Sequence, residues 1–187
     1  MKIKKILTLI ILLFAISLSA QEMNMEEAMK MAAPGPEHKL LTDMAGKFKQ
    51  KIKFYFAPGQ SMDGEGSGIT ESIIGGRFIQ VKSVGKIMGM DTEVLMILGY
   101  DKRKNKYTLF SIDGMGTYSI SAEGDYDAST KIMTLKGTEE DPAMKMKMDF
   151  KFVFDLSDLN ERKMNIIFIK PDGSENKMVE VTSTKIE

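Results

Sequence analysis

The chain holds one histidine, His38, and no cysteine, and these two facts limit its chemistry first. A metal centre built from several histidines or thiolates is excluded. Beside Glu37, His38 could act as a base; it suits equally a residue at a helix start that ties the helix to the rest of the fold, and this simpler reading is preferred. Methionine is abundant, with 17 residues. Met23, Met25, Met29 and Met31 crowd one short segment, and soft thioethers suit Cu(I). Met144, Met146 and Met148 alternate in sequence, but the alternation runs on into Phe150, Phe152 and Phe154, which marks them as adaptable core filler. The acids Glu139, Glu140 and Asp141, and also Asp125 and Asp127, fall in turn-like segments where nothing would desolvate one carboxylate, so they make no acid/base pair. Glycines 64, 66 and 68 imitate a phosphate loop without the Lys-Ser/Thr and helix that one requires. Arg77 follows Gly75-Gly76 and could grip a ligand carboxylate with its planar fork, or satisfy buried carbonyls. Gln80 lies near it, on the opposite face of a regular strand. No catalytic constellation, metal site or cofactor site emerges.

The elements that must position these residues are strands. In Ala143 to Asp155, Met144, Met146, Met148, Phe150, Phe152 and Phe154 alternate with Lys145, Lys147, Asp149, Lys151, Val153 and Asp155. Side chains alternate across a strand, so one face is apolar and the other mostly charged. Lys47 to Phe56 repeats the plan, with Phe48, Ile52, Phe54 and Phe56 set against Lys47, Lys49, Lys51 and Lys53. Further strands are expected over Gly66–Ile74, Arg77–Ile87, Asp91–Tyr100, Tyr107–Asp113, Thr117–Tyr126, Lys131–Thr138, Arg162–Ile169 and Lys177–Lys185. Pro58-Gly59 with Asp63-Gly64, Gly75-Gly76, Asp113-Gly114 and Pro171-Asp172-Gly173 punctuate them. Ten strands with short connections predict an all-β, up-and-down antiparallel barrel, which removes its edges by closing. One strand is apolar on both faces, with Val94, Met96 and Leu98 on one side and Leu95 and Ile97 on the other. Its outer face therefore leaves room for a helix, the leader or a second subunit in a homodimer.

Ahead of the strands lie three segments. Lys2, Lys4 and Lys5 precede the apolar run Ile6 to Ile16, and Ser17-Leu18-Ser19-Ala20 supplies small residues at a cleavage point. This predicts a signal peptide over residues 1–20 and a protein exported to the periplasm or the exterior. The run is too short for a membrane anchor, so no membrane association is expected after its removal. Gln21 to Pro36 reads as a flexible Met-rich leader, and Glu37 to Ala45 as a short helix able to plug a barrel end, with Leu40, Leu41 and Met44 on one face. The barrel domain is placed at residues 37–187. Without residues 1–20 the chain has 23 basic and 26 acidic residues, a net charge of −3. That balance argues against nucleic-acid binding.

Gly35-Pro36-Glu37-His38, followed by Leu40, Leu41, Ala45, Gly46 and Phe48, resembles the opening of a bacterial family called domain of unknown function 1579. Gly75-Gly76-Arg77-Phe78, Met88-Gly89-Met90, Gly99-Tyr100-Asp101, Asp113 to Thr117 and Pro171-Asp172-Gly173 continue the pattern. The resemblance implies a calycin-type barrel, shaped like lipocalins and fatty-acid-binding proteins. Such families open with Gly-x-Trp at the closed end, which here reads Gly46-Lys47-Phe48 and lacks the indole donor. Some calycin relatives hold haem through a single histidine, a role open in principle to His38.

The reading these observations favour is a barrel that binds a small apolar or amphipathic molecule. Phe54, Met146, Met148, Phe150 and Phe152 are expected to line its cavity, with Arg77 and Gln80 as polar candidates. The alternative is a filled barrel that works through its outer surface; an enzyme of unknown type or a Cu(I)-binding protein ranks below it.

Overall fold

The computed structural model describes residues 25–57, 59–87, 89–141 and 146–187. The expected signal peptide lies outside these residues, as do Met23, Met88 and Met144, and the side chain of Met146 is likewise not described. Two units are distinct, residues 1–34 and the barrel from Gly35 to Glu187.

In the first unit the chain is helical from 25 to 32 (α1). Within the segment expected to be a flexible leader, Glu26 to Ala32 is a run of good helix formers, in which Glu26 and Lys30 pair one turn apart at 2.7 Å. The helix ends before Pro34, whose ring disfavours the helical conformation of the residue ahead of it.

The barrel unit begins with a short helix, α2 (Pro36–Thr42). Ten strands follow: β1 (Gly46–Ala57), β2 (Gln60–Ile73), β3 (Phe78–Ile87), β4 (Met90–Asp101), β5 (Lys106–Asp113), β6 (Ser119–Asp127), β7 (Ile132–Asp141), β8 (Met146–Asp155), β9 (Glu161–Ile169) and β10 (Glu175–Lys185). Each pairs antiparallel with the next, and β1 pairs with β10, so the sheet closes into an up-and-down barrel. Closure leaves no exposed strand edge. The last residues complete the seam: Lys47 N–H donates to the Glu187 carbonyl at 2.9 Å, and Ile186 N–H to the Lys47 carbonyl at 2.8 Å.

Several strands run longer than the sequence suggests, β2 most of all; β7 reaches Asp141, so Glu139 and Glu140 lie in a strand and not in a turn. β2 begins at Gln60, which already registers with Ala57 of β1, and Asp63-Gly64 is strand, not turn. Asp63 then points outward toward Lys53, and Gly64 sits inside opposite Ile52. Asp63-Gly64 is the composition of a turn, but the register from β1 carries the ladder straight through it.

The interior is unevenly filled. Phe150, Phe152, Met133, Leu135, Ile79 and Leu98 are almost wholly buried and form one packed cluster with Leu109, Ala122 and Tyr107. Phe150 and Phe152 meet edge to face at 5.8 Å, and a Cβ added at Gly137 would lie 2.4 Å from the Phe150 ring. The ring thus occupies the space that a glycine opposite it leaves. α2 stops the end of the barrel near this cluster, with Leu41 and Met44 in the core. On the outside, Leu95 and Ile97 of β4 register against Ile112 and Phe110 of β5. They form an apolar strip in which Phe110 and Ile112 remain exposed.

Candidate functional site

On the side away from the packed cluster the barrel is hollow. A cavity of about 440 Å³ runs from the α2 end to the opposite mouth, lined mainly by β1 to β5, β9 and β10. It has this room because β2 offers almost no side chains to the interior. Gly68, Gly66 and Gly64 face inward opposite Phe48, Gln50 and Ile52, and Gly85 of β3 stands beside Gly66. A Cβ at Gly66 would lie 2.6 Å from the Val84 carbonyl oxygen, whereas one at Gly68 would meet only the ends of Gln50 and Ser83. The glycines read at first as a failed phosphate loop are therefore an inner barrel wall. Their spacing of two residues was the signal, since it keeps all three on one strand face.

The cavity walls are mostly apolar: Ile52, Phe54, Val81, Val94, Met96, Met164 and Val181 among others. A small polar set interrupts them. Gln50 donates to Ser83 Oγ at 3.1 Å and to Ser183 Oγ at 3.4 Å, tying β1 to β3 and β10 across the glycine wall. Ser111 lines the cavity from β5.

The strongest polar group is at the floor. Arg162, the second residue of β9, is only 8% exposed. Its guanidinium lies 3.9 Å from the Phe48 ring centroid, Nη1 donates to the Met44 carbonyl at 2.9 Å, and Nη2 reaches Thr70 Oγ1 at 3.4 Å. An Arg over an aromatic ring is therefore present although the indole is not; the cation needs only a ring face, which Phe supplies. Burial alone pulls the Arg162 pKa down to about 10. Arg162 leads an alternating inward row with Met164, Ile166 and Phe168. That row is visible in the sequence, where a charged residue opens an apolar strand face.

The residues singled out from sequence separate in the structure. Phe54 and Phe152 line the cavity. Phe150 belongs to the packed cluster, and Met148 is half-buried near the mouth on the inner face opposite Glu139; neither is among the cavity-lining residues. Arg77 sits in the β2–β3 turn at the α2 end, where its Nη1 donates to the exposed Ile74 carbonyl at 3.3 Å, and it is not among the cavity-lining residues. Gln80 registers with Glu71 and Ile97 on the outer face, because Ile79 and Val81 take the inner one.

His38 fills the helix-start role. The Gly35 N–H donates to His38 Nδ1 at 3.1 Å, and the His38 N–H returns a bond to the Gly35 carbonyl at 3.0 Å. Its ring meets Tyr100 edge-on at 5.8 Å, and Tyr100, Tyr107 and Tyr126 continue the aromatic contacts. Burial, then the nearby Lys102, lowers the His38 pKa below its usual value. Burial pushes the Tyr107 phenol up to about 12.

At the mouth, every hairpin carries a methionine close to its turn: Met62, Met90, Met115, Met148 and Met178. Met90 and Met115 line the cavity and are largely exposed. Such a rim is unbranched, polarizable and able to fit varied apolar shapes. Asp91, Glu93 and Asp113 stand beside it. In the first unit Met25, Met29 and Met31 are exposed. Among the described residues no cluster of three His, Cys, Asp or Glu side chains could hold a metal ion.

No curated protein matches the chain. Among solved structures, the crystal structure of Rv2717c from M. tuberculosis is similar, with a TM-score of 0.60 and 11% sequence identity over 83% of this chain and 100% of that one. At that identity the likeness speaks to the barrel alone. The sequence profile of a family described as protein of unknown function, DUF1579, matches residues 33–185, the whole barrel with its plugging helix, and the chain belongs to that family.

Proposed function

We propose that this protein is an exported carrier or sensor that holds one small, mainly apolar molecule inside its barrel. The observation that carries this reading is the cavity of about 440 Å³, apolar except for a few placed polar groups. That volume and lining are those of sites for small organic ligands. The glycine wall supports it further. A strand that loses stability through glycine without filling its barrel suggests selection for room. The basic start, apolar run and small residues of positions 1–20 support export. No helix among the described residues is long and apolar enough to cross a membrane.

The test uses a neutral probe, N-phenyl-1-naphthylamine, whose fluorescence rises on entering an apolar site. The expected result is saturable binding of one probe per barrel, with native mass spectrometry of protein purified from its host showing a co-purified small molecule. If no probe binds and the protein carries nothing, the barrel works through its outer surface and the carrier reading fails.

A further inference from the structure

At the mouth, two thioethers are open to solvent and to the cavity at once. Met90 and Met115 line the cavity and are 54% and 69% exposed. Met44, Met96 and Met133, by contrast, are buried in the core. Met62, Met148 and Met178 are half-buried near the other turns of the mouth. Met90 opens β4, and Met115 lies in the β5–β6 turn. The two segments are tied together, because the Gly114 N–H donates to the Glu93 carbonyl at 2.9 Å. The Met115 N–H in turn donates to Asp113 Oδ1 at 2.8 Å. The backbone beneath both side chains is thus held, while the thioethers themselves stay accessible.

An adaptable apolar lip explains methionine here only in part. Leucine has similar volume and apolarity, and swaps between the two are well tolerated in packed sites. What leucine lacks is a sulfur that a mild oxidant makes polar, in a change that reductases can reverse. The change would fall where polarity matters most to an apolar ligand. Asp91, Glu93 and Asp113 stand beside the two methionines, and carboxylates only accept hydrogen bonds. A sulfoxide oxygen is also an acceptor, so these neighbours repel it. Burying it without a donor is unfavourable, and it must turn to water. The apolar cap over the mouth is then lost. The same three charges favour a neutral oxidant, such as hydrogen peroxide, over an anionic one.

Resting on the carrier reading, we propose that Met90 and Met115 form an oxidation site that controls ligand retention. Hydrogen peroxide converts their thioethers to sulfoxides, and the barrel releases its apolar ligand. In each reaction a sulfur lone pair attacks one peroxide oxygen; an S–O bond forms and the O–O bond breaks. The thioether is oxidised by two electrons, and the departing hydroxide takes the remaining proton and leaves as water. Burial shields Met96 and Met133 from the same reaction, so the core survives it.

The experiment compares reduced and peroxide-treated forms of the wild type and of a variant carrying both Met90→Leu and Met115→Leu. Peptide mass spectrometry follows oxidation residue by residue. Titration with N-phenyl-1-naphthylamine gives the affinity, and circular dichroism follows the fold. Met90 and Met115 should oxidise ahead of Met96 and Met133. The wild-type dissociation constant for the probe should then rise about fivefold or more at unchanged strand signal, and methionine sulfoxide reductases should return it. Peroxide should shift the variant's own dissociation constant by less than about twofold, although the exposed Met25, Met29 and Met31 are still present there. That contrast separates the mouth from the first unit. An equal loss in the variant, a loss that comes with unfolding, or earlier oxidation of the buried methionines would each overturn the proposal. If the reduced wild type binds the probe and oxidation of Met90 and Met115 leaves that binding intact, the oxidation site has no such role and the carrier reading stands. If the reduced protein binds no probe, the carrier reading itself fails.

Discussion

Filling the cavity from one wall tests whether the barrel is hollow in solution. Val181 of β10 is half-buried, lines the cavity and registers with Ile52 and Met164. Val181→Phe adds four carbons pointing into a space of about 440 Å³. If the space is open, the ring enters without displacing a neighbour. At ~0.8 kcal/mol per buried CH₂ the gain is at most on the order of 3 kcal/mol, reduced by lost rotamer freedom, so stability should hold or rise slightly. Ala122→Phe is the control, because Ala122 is buried in the packed cluster on β6. There a phenyl ring has nowhere to go and should cost roughly 1–3 kcal/mol or more through overpacking. Urea midpoints at unchanged m value measure both variants, and titration with N-phenyl-1-naphthylamine measures the space that remains. Val181→Phe should keep the midpoint and lose most probe binding. If instead it falls as far as Ala122→Phe, or keeps full probe affinity, the cavity does not exist as described.

Two further perturbations probe the wall and the plug. Gly66→Ala sets a Cβ against the Val84 carbonyl, which the backbone cannot easily move, whereas Gly68→Ala meets only flexible side-chain ends. The first should cost on the order of 1–3 kcal/mol and the second clearly less; equal urea midpoints would contradict this. His38 has its pKa lowered in the folded protein, chiefly by burial, so the unfolded chain takes up its proton first. Its contribution is fully present above about pH 6.5 and is lost as pH falls below that value. His38→Asn, which keeps a short acceptor for the Gly35 N–H, should flatten the fall in stability between pH 7.5 and 5 relative to wild type. A parallel pair of curves would count against the argument.

The barrel was legible because its evidence is periodic. Lys47 to Phe56 and Met146 to Asp155 alternate cleanly, and short turns force successive strands to pair. The site was less legible because a cavity consists of what is missing. Met148 and Phe150 share the inner face with Phe152, and alternation alone cannot tell which of them packs and which borders space. That depends on the opposite wall, where three glycines leave the room. Arg77 and Gln80 drew attention as polar residues near a glycine pair, yet one satisfies a turn carbonyl and the other points outward. Arg162 carried the more informative pattern, a charge in line with an inward apolar row. The α1 helix lies just ahead of Pro34, which ends a helix without preventing one upstream.

The uneven filling of the barrel also bears on how ligand and stability are coupled. The aromatic cluster of β5 to β8 and the α2 plug supply a core that does not depend on the cavity being occupied. The β1 to β3 wall lacks that support, because atoms lining a void have no partners on one side and forgo their dispersion contacts. A ligand that fills the void would restore the missing contacts. Stabilisation by a bound molecule rises with its concentration, reaching about 2.7 kcal/mol at a hundred times its dissociation constant. Most of that gain should fall on the β1 to β3 wall, which the packed cluster supports least, and a larger slowing of amide hydrogen exchange in β2 than in β7 on ligand addition would be its signature.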